Sequence, residues 1–140
     1  MQYKIEKKYH FYAGHRNENL NDKCFNLHGH TYYINMFFEF DYNVETGITF
    51  LFSDIDKIVD PIIKELDHSL LIHDKDPLLK YLNLFIKEEN TPLKLYKMNQ
   101  TTSAENLSKM IFEMVDKYLP IKKITLQETT SSIVSYEISN

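Results

Sequence analysis

The sequence predicts an α+β domain in which helices pack on an antiparallel sheet. Three patterns carry this expectation. Apolar residues alternate over 2–15 and 28–42, recur at helical spacing over 55–66 and 107–118, and alternate again in two closing runs. At 140 residues the chain suits one domain with a single core. With 43% hydrophobic and 26% charged residues it reads as globular rather than disordered.

In the first strand Tyr3, Ile5, Tyr9, Phe11, Ala13 and His15 share one parity. The opening MQYKIEKKYH is therefore read as a charged strand and not as a signal peptide. The loop RNENLNDK leads to a second strand over about His28 to Tyr42, with His28, His30, Tyr32, Ile34, Met36 and Phe38 inward. Asn43 and Gly47 suggest a hairpin turn, followed by a strand over about 48–52. Ser53 with Asp56 three residues later resembles a capping box. Ile55, Ile58, Val59, Ile62, Ile63 and Leu66 then form the buried face of a helix ending near Asp67 and His68. Pro61 falls inside that helix and is expected to kink it.

Residues 72–100 form a variable segment, where PLLKYLNLFI suggests a short helix and LKLYKM a short strand. TTSAEN starts the next helix, with Thr102 as cap and Glu105 three residues on. Leu107, Met110, Ile111, Met114, Val115 and Tyr118 are its inward face, and Pro120 lies just beyond its end. IKKITLQE and IVSYEIS close the chain as strands.

Bulk properties exclude several function classes. A net charge of −4 gives no reason to expect nucleic acid or an anionic membrane as partner. No apolar run approaches the ~18 residues of a membrane span. A single cysteine excludes an internal disulfide and fits a reducing, cytoplasmic setting.

The candidate chemistry lies in CFNLHGHTYYINMFFEF, residues 24–40. A period-two strand puts His28 and His30 on one face, close enough to hold one ion. His15 ends the inward parity of the neighbouring strand and is the natural third ligand. Three neutral imidazoles with an open fourth position are the pattern of a catalytic zinc. The plainer alternative is a set of hydrogen-bonded core histidines. Cys24 has three readings: a fourth ligand closing a structural site, a catalytic thiolate favoured by nearby Lys23 and Arg16, or a small buried hydrophobe. Asp67 beside His68 can orient a proton-transfer imidazole, or His68 can simply sit at a helix C-terminus. Glu128 ends the parity of Ile124 and Leu126, so its carboxylate either grips a ligand's N–H groups or solvates a strand end.

FYAGHR, KCFNLHGHTY, ELDHSLL, TSAENL and LQETTSS, in this order over nearly the whole chain, resemble the 6-pyruvoyltetrahydropterin synthase and 6-carboxytetrahydropterin synthase family. The resemblance implies a tunnelling fold, a four-stranded antiparallel sheet with two helices on one face. It also implies subunit sheets joined into a trimeric barrel, two trimers stacked as a homohexamer, and active sites at subunit interfaces. By the same resemblance His15, His28 and His30 hold zinc, Cys24 is the catalytic thiol, and Asp67 and His68 are its partners. Glu128 matches the carboxylate that anchors the pterin ring. Thr102, Ser103 and Glu105 lie in the segment matching a PTAEN-like turn that bounds the pterin pocket, with Thr102 replacing the proline. Arg16 and Lys23 are the basic candidates for a triphosphate.

The substrate implied is 7,8-dihydroneopterin triphosphate. Three residues between Cys24 and the HGH resemble the compact spacing of bacterial queuosine-pathway enzymes. That favours 6-carboxy-5,6,7,8-tetrahydropterin synthase, with the pyruvoyl enzyme as runner-up. Two features depart from the family pattern: a longer segment between His68 and Thr102, and Leu51 where many relatives place an acidic residue. Two readings of other classes are a non-catalytic pterin- or zinc-binding module of this fold and a structural zinc protein. Intact Cys24, Asp67 and His68 argue against the module, and a structural site requires cysteine on the metal and no pocket.

Overall fold

The computed structural model describes residues 2–21 and 23–139; Asp22, inside the expected loop, lies outside them, as do Met1 and Asn140. Along the chain run β1 (Gln2–His15), a 3₁₀ turn (Lys23–Phe25), β2 (His28–Asp41), α1 (Phe52–Leu66) and β3 (Ser69–His73). There follow α2 (Leu78–Glu89), β4 (Leu95–Met98), α3 (Ala104–Asp116), β5 (Ile121–Thr129) and β6 (Ser132–Glu137). The strands form one sheet in the order β4-β3-β1-β2-β5-β6. The long β1–β2 hairpin and the β2–β5 and β5–β6 pairs are antiparallel, whereas β3 pairs in parallel with both β1 and β4.

The α+β class is as expected, but the sheet has six strands rather than four and is mixed rather than purely antiparallel. There are three helices instead of two among the described residues. The additions all come from residues 69–98, where β3, α2 and β4 extend the sheet beyond β1.

Alternation explains the core. Phe11, Ala13, Tyr32, Ile34, Met36, Phe38, Ile124 and Leu126 occupy the inward parity of β1, β2 and β5 and are buried. Against them pack Ile55, Val59, Ile63 and Leu66 of α1 and Leu107, Ile111, Phe112 and Val115 of α3. Each of the Val, Leu, Ile, Met and Phe side chains among them stabilises the fold by about 1.5–3 kcal/mol through burial. In α2 no residue is buried, and Tyr81, Leu84 and Phe85 are exposed.

Local details correct three expectations. Residues 48–52 form no strand: a bridge joins Asn43 to Ile48, and Gly47 at φ 74° turns the chain between them. The first helix starts at Phe52 with Leu51 as N-cap and no side-chain cap bond, so Ser53 and Asp56 make no capping box. It runs on through Pro61 to Leu66. Packing of its apolar stripe outweighs the one hydrogen bond that proline removes. For α3 the cap is Ser103, one residue after the expected Thr102, with Oγ accepting from the Asn106 N–H at 3.1 Å.

Candidate active site

Strand register builds the histidine cluster. His15 pairs across with His28, and Ala13 with His30. A directly opposed pair on one face brings Cβ atoms to ~5 Å, and a diagonal neighbour lies within reach of a long side chain. The ring centroids are 4.6 Å (His15–His28), 5.1 Å (His15–His30) and 4.9 Å (His28–His30) apart. One nitrogen from each ring lies within 4.8 Å of the others.

Hydrogen bonds set the tautomers. Nδ1 of His15 lies 2.8 Å from the Thr102 carbonyl oxygen, and Nδ1 of His28 lies 2.7 Å from that of Asn26. Carbonyls only accept, so both Nδ1 atoms carry the proton and both Nε2 atoms offer lone pairs. Glu128, on the inward parity of β5, places Oε1 3.2 Å from Nε2 of His15 and 3.2 Å from Nε2 of His30. Although that close to the carboxylate, Nε2 of His15 makes no hydrogen bond of good geometry among the described residues and is fully buried. Acceptors converging on one point repel unless a proton or a cation lies between them, and the three histidines are close enough to hold a metal ion. The donors present, imidazoles with a carboxylate at hand, fit zinc. Burial pulls His30 below the usual imidazole range, which favours its neutral form. The His15 contact holds Glu128 below the usual carboxylate range, despite its partial burial.

Under the cluster lies Tyr32, fully buried and stacked on Phe11, with its ring 5.5 Å from His30 and 6.2 Å from His15. Burial pushes its phenol up, and its hydroxyl has no hydrogen-bond partner among the described residues.

Beside the cluster is a cavity of about 400 Å³ lined by Glu128, Ser103 and Glu105 together with Asn17, Asn19, Leu20, Thr101 and Ala104. Sequence reading named the first three. It missed the loop residues, because polar side chains within a polar loop carry no periodic signal. Thr102, expected at the pocket, is instead buried and absent from its lining. Its hydroxyl donates to the Arg16 carbonyl at 2.9 Å, and its own carbonyl orients His15.

Arg16 is likewise engaged, through two bonds to Asp76 at 2.5 and 2.8 Å. Its guanidinium lies 4.8 Å from the centre of the Phe25 ring. Lys23 is exposed on the 3₁₀ turn and Cys24 beside it is half-buried.

Asp67 and His68 are joined by a 2.8 Å contact between Oδ2 and Nδ1. The Tyr12 N–H donates to Asp67 at 2.9 Å and is the main reason its carboxyl lies below the usual range. His68 adopts φ 57°, the left-handed region that non-glycine residues rarely occupy, and its side chain is 74% exposed. A cavity of about 420 Å³ beside it is lined by Tyr12, Gly14, Gly29 and Thr31 with Ala13, His30, His68 and Ser69. Tyr12, Gly14, Gly29 and Thr31 have the parity opposite to the three histidines, and the facing glycines leave the hollow unfilled. Asp67 and His68 thus open on the outer sheet face, and among the described residues no hydrogen bond or ion pair joins them to Cys24.

Comparison with known proteins places this geometry. The 6-carboxy-5,6,7,8-tetrahydropterin synthase of Aquifex aeolicus is 27% identical, over 98% of this chain and 99% of its own. The protein of the same name from Haemophilus influenzae is 28% identical, over 96% of this chain and 99% of its own. An uncharacterized protein from Wolinella succinogenes superposes with a TM-score of 0.81 at 16% identity, covering 99% of each chain. The 6-pyruvoyl tetrahydropterin synthase of Caenorhabditis elegans does so with a TM-score of 0.72 at 23% identity, covering 99% of this chain and 97% of its own. With residues 4–139 matching the description of the 6-pyruvoyl tetrahydropterin synthase family, the chain belongs to that family.

Proposed function

We propose that the chain is a zinc-dependent 6-carboxy-5,6,7,8-tetrahydropterin synthase that acts on 7,8-dihydroneopterin triphosphate in a queuosine-type pathway. The observation that carries this reading is the convergence of His15, His28, His30 and Glu128 beside a cavity of about 400 Å³. The two bacterial relatives named for that activity favour the carboxy product over the pyruvoyl one. Bound at the three imidazoles, zinc would act as a Lewis acid toward side-chain oxygens of the substrate.

The chain's own residues supply the remaining steps. Glu128, ionised, accepts from the pterin amino group and ring N–H, with Ser103 and Glu105 bounding the ring. Cys24 as thiolate takes a proton from the substrate side chain. His68, oriented by Asp67, delivers one on the other side. Triphosphate leaves by elimination, and hydrolytic cleavage of the side chain, which takes up one water as the carboxylate forms, releases acetaldehyde, so no redox cofactor is consumed. Because Asp67 and His68 open on the outer sheet face, the working site is completed between subunits of a homohexamer.

Mass spectrometry after incubating the zinc-loaded protein with 7,8-dihydroneopterin triphosphate tests the reading. The expected products are 6-carboxytetrahydropterin, acetaldehyde and triphosphate. A 6-pyruvoyl product would move the enzyme to the other branch, and pterin binding without turnover would make it a binding module.

A further inference from the structure

We infer that Arg16 is a positioning residue that, locked by Asp76 and lying over Phe25, fixes the Cys24 turn relative to the histidine cluster. This rests on the reading of Cys24 as the catalytic thiol. The loop from Arg16 to Leu27 joins β1 to β2 and carries that thiol between two metal-ligand candidates, His15 and His28. An unbraced loop of this length would leave the thiol mobile, whereas proton transfer needs near-contact geometry.

The bracing is visible. Asp76 has only 1% of its side chain exposed, and Oδ1 also accepts from the Leu78 N–H at 2.9 Å at the head of α2. One half of the Arg16–Asp76 fork is therefore rigid, and a planar guanidinium bound at two oxygens has little freedom left. Its face carries the otherwise exposed Phe25 ring. The next residue, Asn17, donates its N–H to the Cys24 carbonyl at 2.8 Å. Two adjacent residues after β1 thus grip two adjacent residues of the turn. A second tie joins Glu18 to His73 at the end of β3, 2.5 Å apart. With its guanidinium held by Asp76 and covered by Phe25, Arg16 is poorly placed to bind a triphosphate, the part sequence reading gave it.

The test uses full-length, zinc-loaded Arg16→Lys, Phe25→Leu and Phe25→Tyr, with Cys24 alkylation by iodoacetamide, zinc content, kcat and KM as readouts. Arg16→Lys and Phe25→Leu should change the alkylation rate several-fold and lower kcat by ~10–100-fold, the scale of a slight misplacement of a reacting group. KM and zinc content should be unchanged, and Phe25→Tyr, which keeps the ring, should behave as the parent. Unchanged alkylation and kcat in both variants would overturn the inference. So would a raised KM at parental kcat in Arg16→Lys, the signature of a triphosphate ligand. If Arg16→Lys fails to fold, the exposed Phe25 position carries the test alone. Full turnover in Cys24→Ala would defeat the catalytic reading instead, while the alkylation comparison needs no turnover and still decides the bracing.

Discussion

His15 uses both ring nitrogens, donating from Nδ1 to the Thr102 carbonyl and aiming Nε2 at the point shared with His30 and Glu128. If the cluster holds zinc as proposed, removing any imidazole opens the metal position. His28→Ala should lose most of the zinc that the parent retains, read by elemental analysis, and full retention would dismiss the assignment. Glu128→Gln keeps the shape but puts a donor where the pterin N–H groups need an acceptor. Pterin binding should weaken by ~1.5–3 kcal/mol, the worth of a charge-assisted hydrogen bond. Zinc should stay, because three imidazoles suffice to hold it; equal pterin affinity in calorimetric titration would remove Glu128 from the site. Cys24→Ala should keep zinc and pterin binding yet lose turnover by ~10²–10⁴-fold, as for a positioned acid–base group. Zinc loss in that variant would point to a structural site.

At the scale of elements, Asp76 joins the head of α2 to the end of β1. Removing one partner of a buried ion pair costs about 3–5 kcal/mol, so Asp76→Ala should show a drop of that order in urea unfolding. The Arg16 contact holds the Asp76 carboxyl below its ordinary value of 3.8. A group whose pKa is depressed by folding contributes fully above its unfolded value and loses that contribution as pH falls through the folded one. The stability gap between parent and Asp76→Asn should therefore be full at neutral pH and shrink below pH 3.8. A gap constant into strong acid would deny the pair that role. For α3, Ser103→Ala removes the cap on the Asn106 N–H and should cost about 1 kcal/mol.

The whole molecule presents Asp67 and His68 on one sheet face and the histidine cluster on the other. If a neighbour completes each site, two crippled variants can repair one another. Cys24→Ala and His68→Ala, each inactive alone, should on unfolding and co-refolding recover up to about a quarter of the parental activity, as random assembly of a symmetric oligomer requires. No recovery from well-mixed oligomers would place the whole site within one chain. Light scattering should give about 100 kDa for six copies of the 16.7 kDa chain.

The sequence by itself determined what is local. Alternation drew β1 and β2 to within a residue of their ends, and parity put His15, His28 and His30 on one side. Helical spacing marked the buried faces of α1 and α3, except that Tyr118, expected inward, lies past the end of α3 and is exposed. Such periodicity is set by backbone geometry, which every residue of an element shares. Parity names the face a side chain takes but not the distant group that meets it there. Tertiary structure alone decided the parallel pairing of β3 with β1 and β4, and the contact of Glu128 with two imidazoles. It also turned Thr102 toward His15, 87 positions away, and Arg16 toward Asp76, 60 positions away. These partners meet only because packing of the core brings the ends of β1, β3 and β4 together, and no window of the sequence spans that distance.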